Sequence, residues 1–343
     1  MGDIIDVKTG TGLVLAGGGG KGIYQVGILK SLAEGGLLQD IVAVSGSSIG
    51  GINAVLFAEG LAEGGIDRAI KQMEECWDDM NEGVLFDVDE ESIRAGEKRF
   101  SRNETKRLID KYLTYELLEK SIDLYITGAK CPATINTTDV ISQEEMNLLW
   151  TLSTEESYKD FTAEYFHLNN KSEDFVKSAI LATSALPVIY SPVNIEGEFY
   201  VDGGVKDNNP IKPLYDIGIR RFIVIELGTK SAINPDIFPD AEIIDIVPSI
   251  DLGKLVSGTL NFDKQDKAFK KYFAELEGKR YIKTLFEKDE DYIAIQDSLA
   301  RLDLEAAKKK VQYDRTYETL ESSVNRNFDY IKNLEESLKK LED

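Results

Sequence analysis

The chain has 343 residues, of which 42% are hydrophobic and 29% charged, and its formal net charge is −21. This length and composition allow one large α/β core with residues to spare. The strong negative charge argues against binding to nucleic acid and against electrostatic docking on anionic bilayers. With two cysteines, one histidine and no metal-ligand spacing, the sequence predicts no metal site.

The first residues and the hydropathy of the chain bear on its location. Residues 1–6 have neither a basic start nor an apolar core, so no secretory signal is predicted. No stretch reaches the roughly eighteen apolar residues of a membrane span. With only two cysteines, the chain is predicted to be cytoplasmic and to lack an integral membrane segment. Any contact with a membrane surface is then expected to be transient and apolar.

The first predicted element is a buried strand over residues 11–16 that runs directly into a cluster of glycines. Residues 17–22, called the glycine loop below, contain five glycines and Lys21, and a helix follows from Ile23. Glycines at a strand-to-helix corner leave several N–H groups free to point at one spot, with the positive end of the helix dipole behind them. The corner is therefore predicted to hold negative charge.

Three interpretations of this anion site compete. Glycines 17, 19 and 22 satisfy the G-x-G-x-x-G pattern of dinucleotide sites, but the second predicted strand, residues 41–44, has no acid at its end to hold ribose hydroxyls. A phosphate loop needs Ser or Thr directly after its lysine, and here a glycine follows Lys21. An oxyanion hole fits best, because the next corner of the sheet carries an exposed serine.

That next corner has the form of a nucleophile elbow, Gly46-Ser47-Ser48-Ile49-Gly50. Small residues at 46 and 50 let the chain turn sharply and let the following helix approach the strand. Ser48 would then stand at the N-terminus of that helix, where negative charge on its oxygen is favoured. Either Ser47 or Ser48 can also simply cap the helix, and this alternative stays open.

An activated serine needs a base, and the single histidine is a poor candidate. His167 precedes the best acid in the chain and lies in an aromatic stretch typical of a strand. The better candidate is Asp202, which follows a predicted hairpin over residues 193–200 and precedes Gly203 and Gly204. A carboxylate there can bond a serine hydroxyl directly, although a pKa of about 3.9 makes it a weak base unless burial raises that pKa. Asp-Gly is also ordinary turn chemistry.

Together these motifs resemble the patatin-like phospholipase family. The resemblance extends over about residues 10–230 and has four parts in the right order. They are the glycine loop with its basic residue, the elbow with Gly51 and Asn53 after it, the helix and loop over residues 178–192, and Asp202-Gly203-Gly204 with Asn209-Pro210.

The resemblance implies an acyl hydrolase that acts on phospholipids or other acyl lipids without a cofactor. Ser48 would be the nucleophile and Asp202 the base. The remaining implied site residues are oxyanion donors, namely the N–H groups of Gly17, Gly18 and Gly19, and supporting residues, namely Lys21, Gly46, Gly50, Gly203 and Gly204. Lys21 stands where some family members have arginine and lacks the forked geometry of a guanidinium. An acyltransferase with the same dyad and a non-catalytic lipid-binding or scaffold protein are the alternatives.

Alternating strands and helices predict a doubly wound α/β domain over residues 1–262, with a mainly parallel sheet and helices on both faces. The family resemblance implies the same three-layer α/β/α arrangement. The remaining predicted elements are helices at 66–80, 103–118 and from Asn209-Pro210 through Ile217, and strands at 124–128, 133–136, 222–225 and 243–247. The segment 142–159 is predicted to be a core helix, with a lid over the site as the alternative.

After residue 262 the chain becomes charged and helix-forming. Ile295, Leu299, Leu302 and Ala306 recur at helical spacing, and a second series from Tyr313 to Leu341 does the same. A C-terminal amphipathic helical extension is therefore predicted over residues 263–343. We expect it to fold back onto the hydrolase domain, and a partner or homodimer interface through the last helix is the alternative.

Overall fold

The computed structural model describes residues 8–80, 102–132, 158–187 and 189–286, and parts of residues 294–316. The strands are β1 (Thr11–Leu15), β2 (Ile41–Ser47), β3 (Asp123–Lys130), β4 (Thr162–His167), β5 (Val193–Ile195), β6 (Glu198–Asp202), β7 (Arg221–Ile225) and β8 (Glu242–Ile246). The helices are α1 (Ile23–Glu34), α2 (Ile49–Gly64), α3 (Ile66–Asp79), α4 (Asn103–Tyr112), α5 (Tyr115–Leu118), α6 (Glu173–Thr183), α7 (Lys212–Asp216) and α8 (Lys264–Phe286).

Eight strands form one mixed sheet, in which β3, β2, β1, β7 and β8 lie side by side in parallel. β4 and β6 pair antiparallel with β3, and β5 completes a hairpin with β6. The strand order reverses at β1, with β2 and β3 on one side and β7 and β8 on the other. Open α/β sheets bind ligands at the carboxyl ends of the strands beside such a reversal. The predicted doubly wound, mainly parallel sheet is confirmed.

Helices cover both faces of this sheet. Val14 and Phe222 face α7, where they pack with Leu214 in a buried cluster. Leu13 and Leu15 alternate with Val14 and so point to the opposite face, and both are fully buried. On that face α2 and α6 pack against the sheet and against each other. The predicted layers, helix on sheet on helix, are therefore observed.

One strand register determines where the site forms. Ser47, the last residue of β2, pairs with Thr127 of β3, and Asp202, the last residue of β6, pairs with Gly128. Glu164 of β4 pairs with Gly128 from the other side, so β6 and β2 share one side of β3. Since β2 runs parallel and β6 antiparallel to β3, the two strands approach each other end to end. Their last residues occupy adjacent positions along β3.

Two predicted helices differ from the observed ones. The helix predicted over residues 103–118 is two helices, because Thr114 is extended and its N–H donates to the Glu59 carboxylate at 2.6 Å instead of continuing the helix. The helix predicted to start at Pro210 begins only at Lys212, with Pro213 in its first turn, and the side chain of Asn209 does not cap it. The predicted strand at 133–136 and nearly all of the segment 142–159 lie outside the described residues.

The structure divides into two compact units, Met1–Ile282 and Lys283–Asp343. The first unit includes most of α8, where Phe273 is fully buried and Glu277 accepts a 2.7 Å hydrogen bond from the Tyr24 hydroxyl of α1. Residues 263–282 of the predicted extension therefore belong to the first unit, and a functional division at residue 262 stays a prediction.

In the second unit, the predicted apolar series is at least half exposed at Ile295, Leu299 and Leu302. The function of this unit stays a prediction. Every helix in the described part of the chain is too short or too polar to cross a bilayer.

Candidate active site

The turn from β2 into α2 is a sharp elbow with Ser48 at its tip. Ser48 has φ 55° and ψ −127°, a conformation that non-glycine residues seldom adopt. The flanking glycines make this turn possible, because a Cβ on Gly46 would lie 2.2 Å from the Gly50 carbonyl oxygen. A Cβ on Gly50 would lie 2.1 Å from the carbonyl oxygen of Leu15. This is the geometry of a nucleophile elbow.

Both polar groups of Ser48 have specific partners. Its backbone N–H donates to Thr183 Oγ1 at 2.9 Å, and its Oγ donates to Asp202 Oδ2 at 2.6 Å. Ser48 stands at the N-cap position of α2, yet its hydroxyl makes no capping hydrogen bond. Helix capping therefore does not account for the presence of a serine at position 48. The neighbouring Ser47 is fully buried, and its hydroxyl has no hydrogen-bond partner among the described residues.

The Asp202 carboxylate lies in a nearly closed environment, with 4% of the residue exposed. Its second oxygen, Oδ1, accepts the Gly204 N–H at 2.8 Å. Burial raises the pKa of Asp202 from 3.8 to about 6, against the opposing effect of the hydrogen bonds from Ser48 and Gly204. The carboxylate is thus ionised at neutral pH and is more basic than an exposed aspartate, as a general base should be.

The two glycines after Asp202 let the chain turn tightly against β3. A Cβ on Gly203 would lie 2.2 Å from the Thr127 carbonyl oxygen, and a Cβ on Gly204 would lie 2.7 Å from Asn208 Oδ1. Side chains at these positions would push Asp202 away from the end of β2.

The glycine loop passes directly beside the elbow. A Cβ on Gly17 would lie 3.0 Å from Ser48 Cβ. Gly17 is held at both of its polar groups by Asn208, whose backbone carbonyl accepts the Gly17 N–H at 3.3 Å and whose Nδ2 donates to the Gly17 carbonyl at 3.2 Å. Within the described ranges, the N–H groups of Gly18 and Gly19 have no acceptor. Two of the three predicted oxyanion donors are therefore unengaged, whereas Gly17 is bonded to Asn208.

The side chain of Lys21 lies against Gly18 of the same loop, because a Cβ on Gly18 would be 3.2 Å from Lys21 Cε. Burial lowers the pKa of Lys21, while Asp251 raises it and Lys270 lowers it further. Lys21 makes no ion pair with any carboxylate in the part of the chain that the structure describes.

The remaining titratable candidates do not contact the dyad. His167 Nε2 lies 3.3 Å from Asp123, and its ring stacks on Tyr125 with centroids 4.5 Å apart. Its partner on β3 is three residues before Gly128, the partner of Asp202. Cys76 and Cys131 are both free and buried, and burial raises their pKa values to about 12 and about 11. No cluster of acidic, histidine or cysteine side chains that could hold a metal occurs among the described residues.

The structural roles of three residues at or near the site were not predicted from the sequence. Thr183 falls in the segment quoted for the family resemblance, but nothing in its neighbours indicates that it accepts the Ser48 N–H. Asn208 precedes an Asn-Pro pair, which indicated only a helix start. Gln25 lies inside the apolar face of α1, where a lone polar residue was a signal that could have been noticed.

Comparison with known sequences gives a clear match. The family profile Patatin-like phospholipase matches residues 13–215. Over 236 residues the chain is 28% identical to Lysophospholipase NTE1 of Cryptococcus neoformans, covering 67% of this chain and 12% of that protein. It is 27% identical over 234 residues to Patatin-like phospholipase domain-containing protein 7 of Rattus norvegicus, covering 67% of this chain and 14% of that protein. The chain thus spans only about one-eighth of the length of these relatives.

Similar solved structures are more distant. Human GIVD cytosolic phospholipase A2 has a TM-score of 0.44 and 10% identity, covering 89% of this chain and 60% of that chain. VipD from Legionella pneumophila has a TM-score of 0.33 and 14% identity, covering 89% of this chain and 76% of that chain.

Proposed function

The chain belongs to the patatin-like phospholipase family, as its motifs predicted, and from that premise we propose that it is a lipid acyl hydrolase with Ser48 as nucleophile and Asp202 as general base. The observation that supports this most directly is the 2.6 Å hydrogen bond from Ser48 Oγ to Asp202 Oδ2. Geometry of this kind lets the carboxylate take the hydroxyl proton at the moment of attack.

In the acylation step, Ser48 Oγ attacks the carbonyl carbon of the ester while its proton passes to Asp202. The carbonyl oxygen becomes an oxyanion, which the N–H groups of Gly18 and Gly19 stabilise. Each such donor contributes about 3 to 4 kcal/mol to the transition state. When the tetrahedral intermediate collapses, the bond to the leaving alcohol breaks and Asp202 returns the proton to that oxygen. An acyl-serine remains.

In the deacylation step, water takes the place of the alcohol. Asp202 accepts a proton from the water, whose oxygen attacks the acyl-serine carbonyl, and the same donors hold the second oxyanion. Collapse breaks the bond to Ser48 Oγ, which recovers its proton from Asp202. The fatty acid leaves, and the dyad is restored.

Of the three glycines implied as donors, we assign the N–H groups of Gly18 and Gly19 to the oxyanion and a supporting role to Gly17. The Gly17 N–H is already bonded to the Asn208 carbonyl. A donor committed to the protein contributes less to a charge that appears only in the transition state.

We propose dispersed or zwitterionic acyl lipids as substrates, in line with the relatives named lysophospholipases. The formal net charge of −21 disfavours approach to anionic bilayers, so contact with a lipid surface should be apolar and transient. A cytoplasmic location and a homodimer through the C-terminal helices stay predictions.

The test is product analysis with lysophosphatidylcholine. Wild-type protein should release free fatty acid, detected by mass spectrometry, and Asp202→Asn should release at least 100-fold less. Adding an acceptor alcohol separates hydrolysis from transfer, because an acyltransferase would form the new ester in place of the free acid. No product of either kind from wild-type protein on any acyl ester would reject the proposal.

A further inference from the structure

Two amide side chains meet in the core between the glycine loop and the nucleophile helix. Gln25 of α1 and Asn53 of α2 are both fully buried, and Asn53 Nδ2 donates to Gln25 Oε1 at 2.8 Å. Gln25 Nε2 donates to the carbonyl of Ala16 at 2.8 Å and to that of Ile225 at 3.3 Å. Asn53 Nδ2 also donates to the carbonyl of Gly22 at 3.1 Å.

Trp77 of α3 completes this network, since its Nε1 donates to Asn53 Oδ1 at 2.8 Å. In each amide group, therefore, both N–H groups donate a hydrogen bond and the carbonyl oxygen accepts one. Turning either amide over would bring two donors or two acceptors face to face. Because leaving a buried polar group unpaired is costly, the two amides are confined to this one arrangement.

The positions of the accepting carbonyls connect the network to the site. Ala16 directly precedes the glycine loop and Gly22 ends it, so the carbonyl groups at both ends of the loop are held by one pair of contacting side chains. Asn53 lies on α2, the helix that begins immediately after Ser48. The loop is thus fastened to the element that carries the serine.

We propose that Gln25 and Asn53 are positioning residues that set the separation between the N–H groups of Gly18 and Gly19 and the Ser48 hydroxyl. This inference rests on the proposed hydrolase function. Neither amide reaches the reacting atoms, and both act through the ends of the loop. Because the oxyanion forms only as Ser48 attacks the ester and is absent from the bound substrate, a displaced loop lowers kcat while substrate binding and KM change little.

The test compares variants that remove hydrogen bonds to the glycine loop with a variant that removes only the hydrogen bond from Trp77. Gln25→Met and Asn53→Leu remove the bonds to the loop while keeping side-chain volume. Trp77→Phe is the matched control: it also breaks a buried hydrogen bond of Asn53, but it leaves the Gln25–Asn53 contact and both bonds to the loop ends. All three are assayed with p-nitrophenyl butyrate at a temperature where circular dichroism finds each of them folded.

We expect kcat to fall 10- to 100-fold in Gln25→Met and in Asn53→Leu, with KM within threefold of wild type, and kcat to fall less than threefold in Trp77→Phe. The double variant should lose little more than the worse single variant, because both substitutions cut the same connection. Equal losses of kcat in all three single variants, in proportion to their losses of stability, would overturn the positioning role.

A second measurement does not depend on turnover. With ¹⁵N-glycine labelling, the amide signals of Gly18 and Gly19 should shift in Gln25→Met and Asn53→Leu and stay in place in Trp77→Phe. If wild-type protein hydrolyses no ester, the proposed function has failed and the catalytic role of the network fails with it. If wild-type protein is active but these signals do not move, the positioning inference alone is rejected.

Discussion

Ser48 Oγ donates a 2.6 Å hydrogen bond to Asp202 Oδ2, although the two residues are 154 positions apart in the chain. The contact follows from the register of β3, which aligns the last residue of β2 with Thr127 and the last residue of β6 with Gly128. Antiparallel β6 therefore delivers its terminal carboxylate to the elbow that ends parallel β2. The dyad is a consequence of two strands that meet end to end.

Asp202→Asn should separate activity from stability. The amide keeps an oxygen for the Gly204 N–H but cannot accept the serine proton. We expect ester hydrolysis to fall by about 10² to 10⁴, the usual effect of losing a positioned general base. Near-wild-type turnover by this variant would reject Asp202 as the base.

The same variant should be more stable than wild type at neutral pH. The pKa of Asp202 is raised from 3.8 to about 6, so the folded protein binds this proton more tightly than the unfolded chain does. The contribution of Asp202 to stability therefore falls as pH rises from about 4 to about 6 and is constant above that, and the ionised carboxylate costs up to about 3 kcal/mol. Urea unfolding should find Asp202→Asn stabilised by about 1 to 3 kcal/mol at pH 7.5 and little changed at pH 3.5.

The pH dependence of activity should have one acidic limb. Asp202 must be ionised to act as a base, so kcat/KM should fall tenfold per pH unit below about 6 and be level from pH 7 to 8. His167 bonds to neither member of the dyad, so His167→Gln should keep both the rate and the profile. A profile that loses its acidic limb in His167→Gln would mean that the histidine takes part.

A second buried carboxylate should govern stability without affecting catalysis. Burial raises the pKa of Glu59 from 4.5 to about 7, so stability contributed by its protonated form is lost as pH rises through that interval. Glu59→Gln removes this loss. In the wild type Gln72 Nε2 donates to Glu59 Oε2 at 3.0 Å, so the Gln72 amide must turn over for its Oε1, which has no partner among the described side chains, to accept from the new amide. We expect a gain of up to about 3 kcal/mol at pH 8 and none at pH 4. The exposed Glu119→Gln is the control, expected to change stability little at either pH.

Gly50→Ala should disrupt the elbow. The added Cβ would lie 2.1 Å from the Leu15 carbonyl oxygen and 2.5 Å from that of Ala16, and neither backbone can yield easily. We expect a loss of about 3 kcal/mol or more in urea unfolding, or no soluble protein. Gly228→Ala, whose Cβ would have its nearest neighbour at 3.8 Å, should change stability by less than about 0.5 kcal/mol. Similar stabilities for the two variants would contradict the close packing of the elbow.

Local signals in the sequence were enough for much of the fold and for the identity of the candidate dyad. The apolar runs of β1, β2, β7 and β8 and the glycines at 46 and 50 each reflect a requirement of their immediate surroundings. The meeting of β2 and β6 is different, because it depends on a register with β3 that no short segment contains.

The features that were not predicted also depend on contacts between distant parts of the chain. The break at Thr114 depends on Glu59, which is 55 positions earlier in the chain. Gln25 is satisfied by Asn53 and by strand ends that only the folded sheet brings together. The bonds of Asn208 to Gly17 span 191 positions. Contacts of this kind become visible only when distant segments are placed side by side.

The most direct test of Ser48 as nucleophile is hydrolysis of p-nitrophenyl butyrate by the purified protein beside its Ser48→Ala and Ser47→Ala variants. Ser47 is the matched control, because it is the adjacent serine and its buried hydroxyl is unpartnered in the described structure. We predict that turnover disappears in Ser48→Ala and stays within threefold of wild type in Ser47→Ala. Turnover that survives in Ser48→Ala would contradict the assignment.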